Sequence, residues 1–171
     1  MIEAARLRDL IDYDPETGEM RWRHTRGPCV GGSIVGCLSP QGYRIGFIDG
    51  RVRSLHRMVI LHVTGALPPT GMEVDHIDGD RANNRWANLR VVTKGENMQN
   101  RRRPSRNNKS GFLGVSRTKH PSRQRRPWLA QIKLTTDGTG KVKNLGFYAT
   151  PEEAHAVYVT AKRRMHAGCT I

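Results

Sequence analysis

Apolar residues open the chain at Ile2, Leu7, Leu10 and Ile11, a helical spacing that Asp14-Pro15 interrupts. The pattern then shortens. Three glycine-punctuated runs, GEMRWR, GSIVGCL and GYRIGFIDGRVRSL, read as short strands, and the Asp-Gly inside IDGR marks a hairpin. From Leu55 to Thr64 the period lengthens again, with Leu55, Val59 and Val63 at i, i+4 and i+8 before GALPPTG ends the helix. The next stretch, VDHIDGDRANNRWANLRVVTKGEN from Val74 to Asn97, predicts a strand, a long polar loop, a short strand and a helix opening at Thr93 or Lys94. Farther on, FLGVSR, PWLAQIKL and KVKNLGFY alternate as three strands. TPEEAHAVYVTAKRRMHAG is helical: Thr150 caps it, Pro151 occupies its first turn and Glu153 completes a capping box. Ala154, Val157, Tyr158, Ala161 and Met165 form its apolar stripe, and Gly168 ends it.

These elements predict an α+β chain in three parts. Residues 1–100 hold a β-rich leader and the strand–loop–strand–helix core, residues 101–110 a basic linker, and residues 111–171 a three-stranded sheet with one helix. Charge sharpens that division. Residues 1–100 carry 13 Lys and Arg against 12 Asp and Glu, whereas residues 101–171 carry 16 against 3. Nearly all of the formal net charge of +14 therefore sits in the last 71 residues, which points to a polyanionic partner. Double-stranded DNA fits better than a membrane surface, because there is no lipidation signal, strongly amphipathic basic helix or apolar run of spanning length. Arg101, Arg102 and Arg103 open the linker, which reads either as a solvated spacer or as a segment lying along a phosphate backbone. Three cysteines without a C-x-x-C pair argue against a disulfide framework, and the N-terminus lacks a secretory h-region. The expected setting is intracellular, the host cytoplasm if the chain is phage-encoded, and a monomer is favoured.

Phosphodiester hydrolysis needs an activated water, charge stabilisation at the phosphate and help for the leaving oxygen. A divalent cation on a few hard oxygen ligands and one imidazole can supply all three. Asp75 and Asn97 offer such oxygens and His76 the imidazole. Adjacent residues on an extended strand face opposite ways, so Asp75 and His76 serve one site only if the backbone bends or the strand edges a cleft. Spacing alone leaves two readings open, a solvated polar loop and a metal site.

Asp75-His76, Asn88 and Asn97, within DHIDGDRANNRWANLR and preceded by LHRMVILHVTG, resemble the motif of the HNH endonucleases, the ββα-metal nucleases, in the phage and homing variant whose last position is Asn. The resemblance covers about residues 55–100. It implies a nicking or homing enzyme in which Asp75 and Asn97 bind Mg²⁺ or Mn²⁺ and His76 is the general base. Asn88 is then the loop residue that braces the element by hydrogen-bonding its backbone and orients His76. Arg57 and Arg90 are candidate phosphate contacts, with salt bridging as the other reading. His56 is a weaker candidate that packing alone would explain, and Asp78 and Asp80 read as turn residues. A DNA-binding regulator built on a degenerate HNH scaffold is the alternative.

The third part, through GFLGVSR, Trp128, Ala130, Ile132, LGFYATPEEAHAVYVTAK and the terminal HAG, resembles the AP2/ERF DNA-binding domain. That resemblance implies a sheet laid into the major groove. Arg117, Gln131, Lys133, Lys141 and Lys143 are expected on its DNA face, with Ala130, Ile132, Leu145 and Phe147 toward the helix. Leu113, Ser116 and Asn144 replace residues of the plant pattern, so base preference does not carry over.

Overall fold

The computed structural model describes residues 2–134, 140–166 and 169–170. Its contacts divide the chain into two units, Met1–Thr93 and Lys94–Ile171.

In the first unit, α1 (Ala4–Leu10) buries Leu7 and Leu10 and runs directly into β1 (Ile11–Tyr13). Ile11 is thus a strand residue, a change from the helix expected there, and the helical run stops before Pro15 is reached. β1 pairs antiparallel with β2 (Met20–Trp22). A three-stranded sheet follows, from β3 (Cys37–Leu38), β4 (Arg44–Ile48) and β5 (Arg51–Ser54) in that order. The β4–β5 turn is the expected Asp-Gly hairpin: Asp49 and Gly50 both have positive φ, 52° and 76°, which matches the twist of the strands they join. GSIV gives only an isolated bridge from Ile34 to Arg21 in place of a full strand.

Helix α2 (Leu55–Thr64) leaves β5 without a loop and ends at Gly65, whose N–H reaches the Leu61 carbonyl at 3.0 Å from a left-handed conformation. Leu55, Met58, Val59, Ile60 and Leu61 are buried, whereas Val63 is exposed. The buried face is broader than the i, i+4, i+8 line, and Val63 falls outside it. β6 (Met72–His76) then pairs antiparallel with β7 (Leu89–Thr93), the two joined by a long loop and the short 3₁₀ turn Trp86–Asn88. One apolar core, including Leu7, Ile11, Met20, Ile48, Leu55 and Val59, carries Val74 and Leu89 of this pair on its edge. Residues flanking the polar loop are therefore anchored, which holds the loop in place between them.

The second unit starts with α3 (Lys94–Gln99), in sequence directly after β7. Farther along, β8 (Val115–Arg117), β9 (Trp128–Leu134) and β10 (Lys141–Tyr148) form an antiparallel sheet in the order β10-β9-β8, covered by α4 (Pro151–Met165). The Thr150 hydroxyl accepts the Glu153 N–H at 3.2 Å, while the Glu153 carboxylate closes the cap on the Ala149 N–H. Ala154, Tyr158 and Ala161 are buried as expected, but Met165 is exposed and Lys162 takes an interior place at 1% exposure. Its ammonium donates to the Arg101 carbonyl at 2.6 Å, and Arg102 donates to the Thr170 carbonyl and hydroxyl. The first residues of the basic linker are thus fastened within this unit. Gly168, the expected helix stop, lies outside the described residues.

Candidate active site

β6 delivers Asp75 and His76 at its C-terminal end, both buried, at 6% and 4% exposure. The strand stays in register through His76, with Asp75 opposite Arg90 and His76 opposite Leu89, so regular alternation turns the two side chains to opposite faces and one shared site requires that the strand end borders a cleft. Their surroundings differ accordingly. Asp75 Oδ2 accepts hydrogen bonds from Arg90 Nε at 2.9 Å and Nη2 at 2.7 Å. The pairing follows from cross-strand register, which sets opposite side chains within reach. Arg90 thus makes the salt bridge that was one of its two readings.

His76 lies in a polar and aromatic nest. Its Nε2 is 3.1 Å from Asn84 Oδ1, its ring centroid 5.3 Å from that of His56 edge-on, and 6.0 Å from that of Tyr43. Asn84 thus meets the imidazole, where Asn88 was expected to orient it as well as brace the loop. Asn88 instead ties the loop: its Oδ1 accepts the Asp78 N–H at 3.0 Å, and its Nδ2 donates to Asp78 Oδ1 and to the Asn83 carbonyl. Its own carbonyl takes the Ile77 N–H at 2.9 Å. Asp78 and Asp80 are turn residues, each carboxylate accepting the amide two residues on. Partial burial raises the Asp78 carboxyl, but hydrogen bonds from Asn83, the Asp80 amide and Asn88, with His76 nearby, outweigh it and leave the pKa lowered. Asn84 escaped the sequence reading because nothing local separates it from Asn83 in an amide-rich turn.

His56 is 9% exposed on α2, wedged between Tyr43 and His76. Burial, then the neighbouring His76 and Arg57, push it down to about 4 from an ordinary value of 6.5. A histidine kept neutral by the fold stabilises it fully above the unfolded value. That stability is lost as pH falls from about 6.5 toward 4, because the unfolded chain then binds the extra proton. The total comes to about 3 kcal/mol. Urea unfolding of the full chain across this window should show the loss in the wild type and a much smaller one in His56→Gln; equal losses would remove His56 as the cause.

Arg57 is half-buried beside His56. Asn97 is half-buried on α3 in the second unit, and Arg101, Arg102 and Arg103 are exposed there. Among the described residues no group of three or more His, Cys, Asp or Glu is gathered to hold an ion.

Strand register in the second unit corrects the expected DNA face. Gln131 and Lys133 lie opposite Asn144 and Val142, and these four share the face away from buried Ala130 and Ile132. Lys141 and Lys143 lie opposite Leu134 and Ile132, which puts them on the other face, both exposed. They have the parity of Leu145, so a regular strand keeps them with it. Arg117 pairs across with Trp128 and sets its guanidinium 5.8 Å from that ring, while Ser116 takes the Gln131 side. An irregularity between Asn144 and Gly146 leaves Leu145 in the core and turns Phe147 outward, opposite Leu129, where Arg123 stacks on it at 4.3 Å.

The site is thus a buried His-Asp strand end beside a hydrogen-bonded Asp-Asn loop. Residues 53–99 match the family model described as HNH endonuclease, and over that segment the chain carries an HNH endonuclease domain. It is also similar to an uncharacterized HNH endonuclease of Acanthamoeba polyphaga mimivirus, 28% identical over 122 residues, 71% of this chain and 57% of the viral protein. A solved structure titled "DNA binding and cleavage by the HNH homing endonuclease I-HmuI" is 29% identical with a TM-score of 0.38, covering 53% of this chain and 50% of that one. The chain spans about half the length of these relatives.

Proposed function

We propose that the protein is a metal-dependent DNA endonuclease that nicks double-stranded DNA, with His76 as general base and Asp75 and Asn97 as metal ligands. The observation that carries this reading is the HNH match over residues 53–99, which takes in Asp75, His76, Asn88 and Asn97 together. A carboxylate and an amide oxygen are hard donors that suit Mg²⁺ or Mn²⁺, and two such ligands leave most of the shell for water and phosphate. When bound, the ion supplies charge neutralisation at the phosphate and the leaving oxygen.

The remaining roles belong to the chain. His76 takes the proton of the attacking water, helped by a setting from which bulk solvent is largely excluded. Arg90 holds the Asp75 carboxylate through Oδ2 and so fixes that ligand in place. Asn88 keeps the loop closed over the strand end. Arg57 is assigned a phosphate contact.

The basic second unit, in this reading, is an AP2-like DNA-holding module. Gln131 and Lys133 meet DNA from the outer sheet face, with Arg101, Arg102 and Arg103 along the backbone. Arg117, Lys141 and Lys143 add charge from the sheet margins. One active site per chain cuts one strand per event.

Supercoiled plasmid incubated with the protein and Mg²⁺ or Mn²⁺ should convert to open circle, and EDTA should stop the reaction. Linear product at first appearance would indicate paired cuts. Unchanged plasmid despite tight binding would make the chain a DNA-binding regulator, and undiminished cutting in EDTA would reject the metal mechanism.

A further inference from the structure

The HNH reading leaves Asn84 without a task, yet this is one of the most buried polar side chains, at 2% exposure. Its Oδ1 sits 3.1 Å from His76 Nε2. A carbonyl oxygen only accepts, so Nε2 carries the hydrogen, and in a neutral imidazole the lone pair for proton transfer then belongs to Nδ1. Asn84 therefore selects the nitrogen that can act as base.

The backbone of Asn84 is gripped from the N-terminal hairpin. Tyr13, at the end of β1, donates its hydroxyl to the Asn84 carbonyl at 2.8 Å, and the Pro15 carbonyl accepts the Trp86 N–H at 3.1 Å. Burial, then Asp14, pushes the Tyr13 phenol up to about 12, so it stays a donor at any working pH. Gly18, at φ 77°, closes the hairpin against the same loop, and a Cβ there would stand 2.5 Å from Arg85 N and 2.6 Å from Asn84 C. On its other side, Asn88 Nδ2 holds the neighbouring Asn83 carbonyl at 2.8 Å.

We propose that Asn84 is the positioning residue of His76, holding Nε2 as the protonated nitrogen so that Nδ1 accepts the proton, and that the β1–β2 hairpin holds Asn84 through Tyr13 and Gly18. The proposal rests on the nuclease reading, and it makes the N-terminal leader part of the catalytic apparatus.

Two measurements on the full chain test it. Long-range ¹⁵N–¹H NMR, with His76 identified by its loss in His76→Ala, reports which ring nitrogen is protonated at pH 8. Nicking kinetics on plasmid with Mg²⁺ report kcat and KM. The wild type should show the Nε2–H form. Asn84→Leu, near in volume but without an acceptor, should give mixed tautomers and a kcat lower by about 10- to 100-fold at nearly unchanged KM. Asn84→Asp keeps an acceptor oxygen and should retain the Nε2–H form, and Tyr13→Phe should lower kcat by a few-fold. A wild-type Nδ1–H form overturns the proposal, as does Asn84→Leu with unchanged tautomer and kcat. Should Asn84→Leu not fold, the wild-type and Asn84→Asp tautomers decide it, and Nδ1–H in either overturns it. An Asn84-dependent tautomer in a protein that never nicks leaves the positioning intact and removes the nuclease reading instead.

Discussion

His76→Ala should lower the nicking rate by about 10²- to 10⁴-fold, the usual contribution of a positioned general base, while DNA binding stays close to wild type. The two effects separate because they draw on different parts of the chain. Affinity for a polyanion is expected from the 16 Lys and Arg of residues 101–171, whereas His76 lies in a part of nearly balanced charge. Alanine here also leaves Asn84 Oδ1 without its donor in a buried place, a cost of about 1–3 kcal/mol. His76→Gln is the companion variant, since its amide can donate to Asn84 but cannot accept a proton from water near neutral pH. Single-turnover nicking and fluorescence anisotropy on the same duplex read the two effects. Wild-type nicking by His76→Gln would sink the assignment of the base.

A second large effect is expected at Asp75, where structure and chemistry meet in one carboxylate. Asp75→Ala should abolish cleavage and destabilise the protein by about 3 kcal/mol, because the partly buried Arg90 keeps its charge and loses the Asp75 carboxylate. Asp75→Asn retains the shape and an acceptor oxygen but not the charge, so it should recover part of the stability and none of the Mg²⁺-dependent activity. Urea unfolding gives the first quantity, and Mn²⁺ titration calorimetry with plasmid nicking gives the second. An Asp75→Asn protein that nicks normally at ordinary Mg²⁺ would take Asp75 out of the metal site.

Asn84 and Asn88 mark how far the candidate site was legible in advance. Both lie in DGDRANNRWAN, and motif spacing singles out Asn88, whose amide does tie the loop to Asp78. Asn84 carries no such mark. Its importance comes from contacts with Tyr13 and His76, which lie 71 and 8 residues away, and no local pattern encodes either. The Arg90 salt bridge likewise comes from the β6–β7 register, which sets Arg90 opposite Asp75.

Local preference determined a good deal of the fold. Asp49-Gly50 made a hairpin because two successive positive φ values suit few other residues. Thr150, Pro151 and Glu153 began α4 because a helix N-terminus needs acceptors for its open N–H groups. Polar loop chemistry between two apolar strands was enough to place Asp75 and His76 at a strand end. What tertiary structure alone decided was which way side chains faced and what met them. An extra residue at Leu145 reverses the strand's alternation and sends Phe147 outward. Lys162 is buried because the Arg101 carbonyl waits for its ammonium, and Val63 is exposed because the helix is turned by what packs on it. Periodicity reports which residues can share a face. Register, bulges and distant partners settle which face it is, and those depend on the whole chain closing on itself.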